Sequence, residues 1–160
     1  MIDLPQGLRV AVYSRQKLMD LWYRLRQYDS LFADDDTRDP EVFVNQILAL
    51  DTLVLEVDNG IIILRKIREG LRGEVHLSFW DHKLSARKEL FQDALVWAFI
   101  NYNLYRIETF VADYARAVRR FLEDRMHFKH EGVMRHRVWH QGRLLDMHIY
   151  SILREEVLNG

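Results

Sequence analysis

ELFQDALVWAFINYNLYRIETFV, residues 89–111, changes its period half-way along. Leu90, Phe91, Ala94, Leu95 and Ala98 recur at helical spacing and form one apolar stripe of a helix of about four turns, ending near Asn101 to Asn103. Residues 106–111, RIETFV, then alternate as a strand does. The elements on either side of this helix–strand unit decide what kind of sheet the strand joins.

Upstream, residues 51–70 read DTLVLEVDNGIIILRKIREG. Two runs of branched residues flank Asn59-Gly60, a pair favoured where a tight turn needs positive φ twice, so this segment reads as a hairpin. A further turn around residues 70–73 leads into a third strand, EVHLSFW at 74–80. At the start of the chain, RVAVY at 9–13 is a short strand, and Ser14 is placed to cap a helix. Leu18, Leu21, Trp22, Leu25 and Tyr28 mark that helix as amphipathic. An acidic stretch, FADDDTRDPE, closes on Asp39-Pro40, a helix-start signal for a second helix that buries Phe43 and Ile47.

Downstream, residues 115–126 read as a helix with Val118, Leu122 and Phe121 inward, and the tail KHEGVMRHRVWHQGRLLDMHIYSILREE as a long hairpin turning near Gln141-Gly142. The order is β-α-α-β-β-β-α-β-α-β-β. It predicts an α/β protein of the α+β type, with a mixed, mostly antiparallel sheet of six to seven strands and about four helices, in a single domain spanning 1–160.

Composition narrows the chemistry. Hydrophobic residues make up 49% of the 160 and charged residues 29%, an ordinary globular balance. The absence of cysteine excludes disulfides, thiolate nucleophiles and sulfur-ligated zinc. A formal charge of −1 gives no global pull toward nucleic acid, so nucleic acid is not an expected partner. The longest aliphatic run, residues 61–64, is far too short for a bilayer, and MIDLPQGLRV lacks a signal-peptide pattern. The expectation is a cytoplasmic protein without a membrane partner.

His130, His136, His140 and His148 crowd the tail and raise the question of a metal. On one strand, His136 and His140 share a face but lie about 13 Å apart at ~3.3 Å per residue. With a two-residue turn at Gln141-Gly142, His148 falls opposite Arg135 and faces away from His136. The expectation is no metal site. Arg135, His136, Arg137 and Trp139 interleave charge with an aromatic ring, yet read better as a solvated strand face than as a single-strand binder.

The second half resembles the GCN5-related N-acetyltransferase (GNAT) superfamily, especially its branch acting on ribosomal-protein N-termini. Glu89, Ala98, Phe99, Arg106, Ile107 and Glu108 match a helix of the form EAL…L…YAF followed by R-[IV]-E. RRFLEDRMHFKHEGVMR is similar to R…LEK-x-GF-x-x-EG-x-x-R through Glu123, Phe128, Glu131, Gly132 and Arg135. The ending G-x-x-x-D-x-x-x-Y-S-L-L is met at Gly142, Asp146, Tyr150, Ser151 and Leu153. The matches span residues 85–155, whereas residues 1–70 agree only in element order.

The resemblance implies acetyl-CoA held where the fourth and fifth strands part, with Leu77, Ser78 and Phe79 beside it and its pyrophosphate on the loop before the following helix. In the family that loop reads [QR]-x-x-G-x-[GA]; here it is His82, Lys83, Leu84, Ser85, Ala86 and Arg87. Ser85 replaces the glycine and Arg87 the small residue, so Lys83, Arg87 and Lys88 stand as cationic replacements for close backbone approach, against a plainer reading in which Ser85 caps the helix. Ala115 stands where an Asn usually contacts the cofactor, and Phe121 and Leu122 where a Tyr usually protonates the leaving thiolate, with Tyr114 the nearest hydroxyl.

For the base that frees the acceptor amine, His76, Asp81 and Glu108 are the candidates. The implied activity is acetyl-CoA-dependent N-acetylation of an amine: a protein N-terminus, a lysine or a small molecule. Asp34, Asp35 and Asp36 are placed to attract such a cation, against a plainer reading as a solvated acidic loop with Asp39 capping the next helix, and the family commonly pairs through the C-terminal strands into a homodimer. The alternative is a GNAT-fold protein without catalytic activity, serving as a binding or assembly module. Surface clustering of Trp80 and Trp139 would favour it.

Overall fold

The structure is a computed structural model and describes residues 1–27, 38–81 and 83–159. Seven strands form one mixed sheet in the order β1-β2-β3-β4-β5-β7-β6. The strands are β1 (Arg9–Ala11), β2 (Leu53–Val57), β3 (Gly60–Arg68), β4 (Arg72–Phe79), β5 (Arg106–Ala112), β6 (Lys129–His140) and β7 (Arg143–Leu153). All neighbouring pairs are antiparallel except β4 and β5. The element order is the one the sequence predicts, with a short helix added at the C-terminus. Among the described residues no helix is long and apolar enough to cross a membrane.

Helices α1 (Arg15–Leu25) and α2 (Pro40–Ile47) cover one face of β2 and β3. Ser14 Oγ accepts from Lys17 N–H at the start of α1, and Asp39 Oδ1 accepts from Glu41 N–H at the start of α2, each satisfying an amide that the helix itself leaves unpaired. The stripes Leu18, Leu21, Trp22, Leu25 and Phe43, Val44, Ile47 pack on Val54 and Ile61, with Trp80 at the margin. Tyr28, Asp34, Asp35 and Asp36 lie outside the described residues.

The opposite face carries α3 (Lys88–Asn101) and α4 (Arg116–Arg120), which widens into a π-turn over residues 121–125. Phe91, on α3, stacks on Phe121 and on Phe128, at centroid distances of 6.4 and 6.2 Å. The helix expected over 115–126 is therefore a shorter α-helix followed by a wider turn that brings both Phe121 and Leu122 into the core. The C-terminal helix is α5 (Arg154–Leu158).

Two hairpins depart from the sequence reading, one in its turn and one in its register. Val57 pairs with Gly60, so the first hairpin turns on Asp58 and Asn59, and of Asn59 and Gly60 only Asn59 has positive φ, at 58°. Gly60 serves a different need: a Cβ there would stand 2.2 Å from Phe79 Cδ1. Gly60→Ala is expected to lower stability by roughly 1–3 kcal/mol through this overlap, measurable by urea denaturation. The second departure is in the tail. The turn at Gln141 and Gly142 is as expected, but a bulge between Met134 and Val138 shifts the register, and His148 lies opposite Val133 rather than Arg135. His136 sits at φ 50° in that bulge and donates its N–H to Asp146 Oδ1 at 2.7 Å. A further shift between His130 and Gly132 leaves His130 opposite Tyr150.

Candidate active site

β4 and β5 run side by side for three residue pairs only: Arg72 with Arg106, Gly73 with Ile107, Glu74 with Glu108. Beyond that last pair β4 continues to Phe79 and β5 to Ala112 without pairing, and the two strands enclose a wedge. Parallel strands are otherwise stitched along their length, so this gap leaves main-chain groups facing it. Trp80 N–H reaches the Asn59 carbonyl at 3.0 Å, toward β3. Strand alternation then turns the N–H groups of Phe79 and Leu77 toward the gap, and those of Ser78 and His76 toward β3.

The side chains of β4 divide just as strictly. Val75, Leu77 and Phe79 belong to the core under α3, while Glu74, His76 and Ser78 project on the side of α1 and α2. Glu74 is buried, with Lys66 Nζ at 2.8 Å from one carboxylate oxygen and Arg65 Nε at 3.7 Å and His76 Nε2 at 3.6 Å from the other. Burial alone would raise its carboxyl, but His76 and Lys66 outweigh that and hold it down at about 2. His76 Nε2 is itself buried, lies just beyond hydrogen-bonding reach of Glu74, and has no hydrogen-bond partner among the described residues.

Because the folded value lies below the ordinary carboxylate range, the resulting stability is present above about pH 4.5 and is lost as pH falls toward about 2. Denaturation at pH 7 and pH 3 should show a loss on the order of 2 kcal/mol from this site, which the Glu74→Gln variant lacks.

Glu108, the partner across the last rung, is buried between Arg72 and Arg106, whose Nε lies 2.9 Å away. Arg106 also grips Glu131 with two hydrogen bonds, at 2.8 and 2.6 Å, and Ser151 donates to the same Glu131. With two guanidinium partners, Glu108 is placed as a joint between strands. Asp81 is placed similarly, just past β4, where it accepts from Lys83 N–H at 3.1 Å and from Arg87 at 2.6 Å. These contacts, the Lys83 amide foremost, hold its carboxyl below the usual range.

The loop itself turns through a 3₁₀ segment, Leu84–Arg87, into α3, with no side-chain cap at either start, so Ser85 stays exposed and does not act as the cap. Arg87 lies over the Phe79 ring at 5.4 Å and thereby joins the loop to the mouth of the wedge. Lys83 is exposed and Lys88 half-buried beside it; Leu84 packs on the core, and Ala86 N–H closes the turn on the Lys83 carbonyl at 3.1 Å. His82 lies outside the described residues. Tyr114 follows β5, its ring 5.1 Å from His140.

A second polar cluster escaped the sequence reading. His148 Nε2 lies 2.9 Å from Asp113 Oδ1, and its Nδ1 lies 3.0 Å from His130 Nε2. Arg119 of α4 approaches the same ring at 2.9 and 3.2 Å, and Tyr150 donates to Glu123 at 2.5 Å. The His148 contact, foremost, holds the Asp113 carboxyl below its usual range. The tail register had kept these histidines apart; the two bulges bring them together. Among the described residues no three His, Asp or Glu side chains converge as ligands for a metal ion.

With the wedge and its loop in place, comparison with solved structures becomes decisive for the fold. A point mutant of the spermidine N-acetyltransferase SpeG from Vibrio cholerae superposes with a TM-score of 0.72 at 20% identity, over 97% of this chain and 98% of that one. The chain has the GNAT fold. A probable acetyltransferase matches at TM-score 0.70 and 17% identity, over 96% and 97% of the two chains. A dodecameric spermidine N-acetyltransferase from Vibrio cholerae in an intermediate state matches at 0.69 and 19%, over 97% and 98%. No family model and no curated protein matches the GNAT-fold chain.

Proposed function

We propose that this GNAT-fold chain is an acetyl-CoA-dependent N-acetyltransferase acting on an amine. The observation that carries the reading is the wedge: β4 and β5 part immediately after the Glu74–Glu108 rung and leave the N–H groups of Leu77 and Phe79 turned into the gap. A slot lined by main-chain donors, with the Arg87 cation at its mouth, fits an extended ligand with amides along its length and phosphates at one end.

Bound there, acetyl-CoA would supply a thioester acyl group to the acceptor amine. Leu77, Ser78 and Phe79 would line its extended arm, and Lys83, Leu84, Ser85, Ala86, Arg87 and Lys88 would form the loop that meets its phosphates. The N–H groups of Leu77 and Phe79 are the donors available to a developing oxyanion. His76 is the base. The buried Glu74 carboxylate lies 3.6 Å from its Nε2 and would steady the charge that the imidazole gains on taking the amine's proton, directly or through water. Glu108 and Asp81, each already bound to arginine, are positioning residues in this reading.

The neighbours named for spermidine and the resemblance of residues 85–155 to enzymes of ribosomal N-termini put polyamines and peptide α-amines first among acceptors to assay. The alternative, a module without cofactor, has Phe121 and Leu122 in its favour, since both are buried where a proton-donating tyrosine usually stands. Against it, Trp80 packs beside α1 and α2 while Trp139 lies 57% exposed on β6, so the two do not form a surface patch.

Isothermal titration with acetyl-CoA, against CoA and ATP, tests the reading. Saturable micromolar binding of acetyl-CoA, followed by turnover on an amine panel, is the expected result. No heat and no thermal shift at millimolar cofactor would exclude it and leave the module.

A further inference from the structure

Arg87 is the cation that the proposed donor site needs most, and it is already engaged. Its guanidinium lies 2.6 Å from Asp81 Oδ2, with the two side chains only 16% and 19% exposed. The Phe79 ring lies under the same guanidinium, and the other Asp81 oxygen accepts from Lys83 N–H at 3.1 Å. One carboxylate therefore shapes the turn after β4 and neutralises the arginine beside the wedge.

We propose that Asp81 is a built-in competitor for the phosphate ligand: a diphosphate entering this loop must take Arg87 away from Asp81, and Asp81 thereby sets the affinity of the loop. This rests on the acetyltransferase reading and deepens it. An arginine fork has a fixed set of in-plane N–H donors, and Asp81 holds its Nη2 end, so a phosphate that takes the fork in bidentate fashion through Nη2 displaces the carboxylate. A paired Arg87 presents little net charge to an approaching anion, whereas a freed one attracts it. The Phe79 ring supports the guanidinium with either partner, so the exchange needs a pivot of one side chain and no change in the strand. A mere structural pin behaves differently: removing its charge leaves anion affinity unchanged or weaker.

The Asp81→Asn variant separates the two jobs of the carboxylate. Asparagine keeps an Oδ1 acceptor for the Lys83 amide and loses the charge that holds Arg87. Asp81→Ser does the same with a hydroxyl and serves if the first variant fails to fold. Wild type, Asp81→Asn, Arg87→Gln and the double variant are titrated with acetyl-CoA and, as a diphosphate without a thioester, ADP, with a thermal melt confirming that each is folded.

The expected result is a gain on the order of tenfold in affinity for both ligands in Asp81→Asn, a comparable loss in Arg87→Gln, and no gain from Asp81→Asn when Arg87 is absent. Wild-type binding with no gain in Asp81→Asn overturns the competitor and leaves the acetyltransferase reading intact. A gain that persists without Arg87 also overturns it, because charge at large would then be the cause. Binding by none of the proteins overturns both. Binding by Asp81→Asn alone supports both.

Discussion

His76→Ala is expected to lower kcat for acetyl transfer by roughly 10²- to 10⁴-fold, the usual contribution of a positioned general base. Affinity for acetyl-CoA, read by titration, should stay within about threefold, because His76 projects toward α1 and α2 rather than into the core under α3 where Leu77 and Phe79 lie. The expectation rests on geometry that neither Glu108 nor Asp81 shares. Each of those carboxylates is bound to arginine, whereas His76 faces a buried, ionised Glu74 across 3.6 Å and makes no other polar contact among the described residues. Glu74→Gln should give a smaller loss, about tenfold, by removing the charge that steadies the imidazolium. An unchanged kcat in His76→Ala would remove His76 from the chemistry.

The largest effect on stability is expected for Phe91→Ala, about 3–5 kcal/mol by denaturant titration. Phe91 is wholly buried on α3 and stacks on Phe121 of the π-turn and Phe128 before β6, so one ring fastens α3 to both of those segments. Because α3 begins directly after Arg87, loosening its first turns also loosens the loop at the mouth of the wedge. A loss under about 1 kcal/mol would mean that the cluster collapses around the hole and that its packing is less demanding than the stacking implies.

The sequence made the element order readable because each element carries a local signature. The stripe of α1, the Asp39-Pro40 start of α2 and the branched runs of β2 and β3 need no distant partner to be recognised. The features that went unread were set by distant partners. Gly60 looked like a turn residue, yet it is there because Phe79 lies against it from the next strand. His148 was placed opposite Arg135 because nothing local announces a bulge; two of them bring it to His130 and Asp113.

The site shows the same division. His76 is legible as a candidate on its own, whereas its pairing with Glu74 is not part of the sequence reading. One signal would have found it: in a strand, residues two apart share a face, so EVH already sets the carboxylate beside the imidazole. The pairing of Asp81 with Arg87 had no such signal, since five residues separate them and only the chain's return over Phe79 brings them together.

The paired bulges of β6 have a consequence for the molecule's borders. β6 is one outer strand of the sheet and, at twelve residues, by far the longer of its two edges, since β1 at the other side has only three. A straight edge of that length would offer free amides and carbonyls for an alien strand to continue the sheet. Here the ladder breaks between His130 and Gly132 and again between Met134 and Val138, where His136 bends into left-handed geometry and spends its amide on Asp146. The rim is cut into segments too short and too twisted to template a neighbour. Copies of this chain that associate are thus steered toward side-chain contacts between faces, and away from open-ended growth of the sheet.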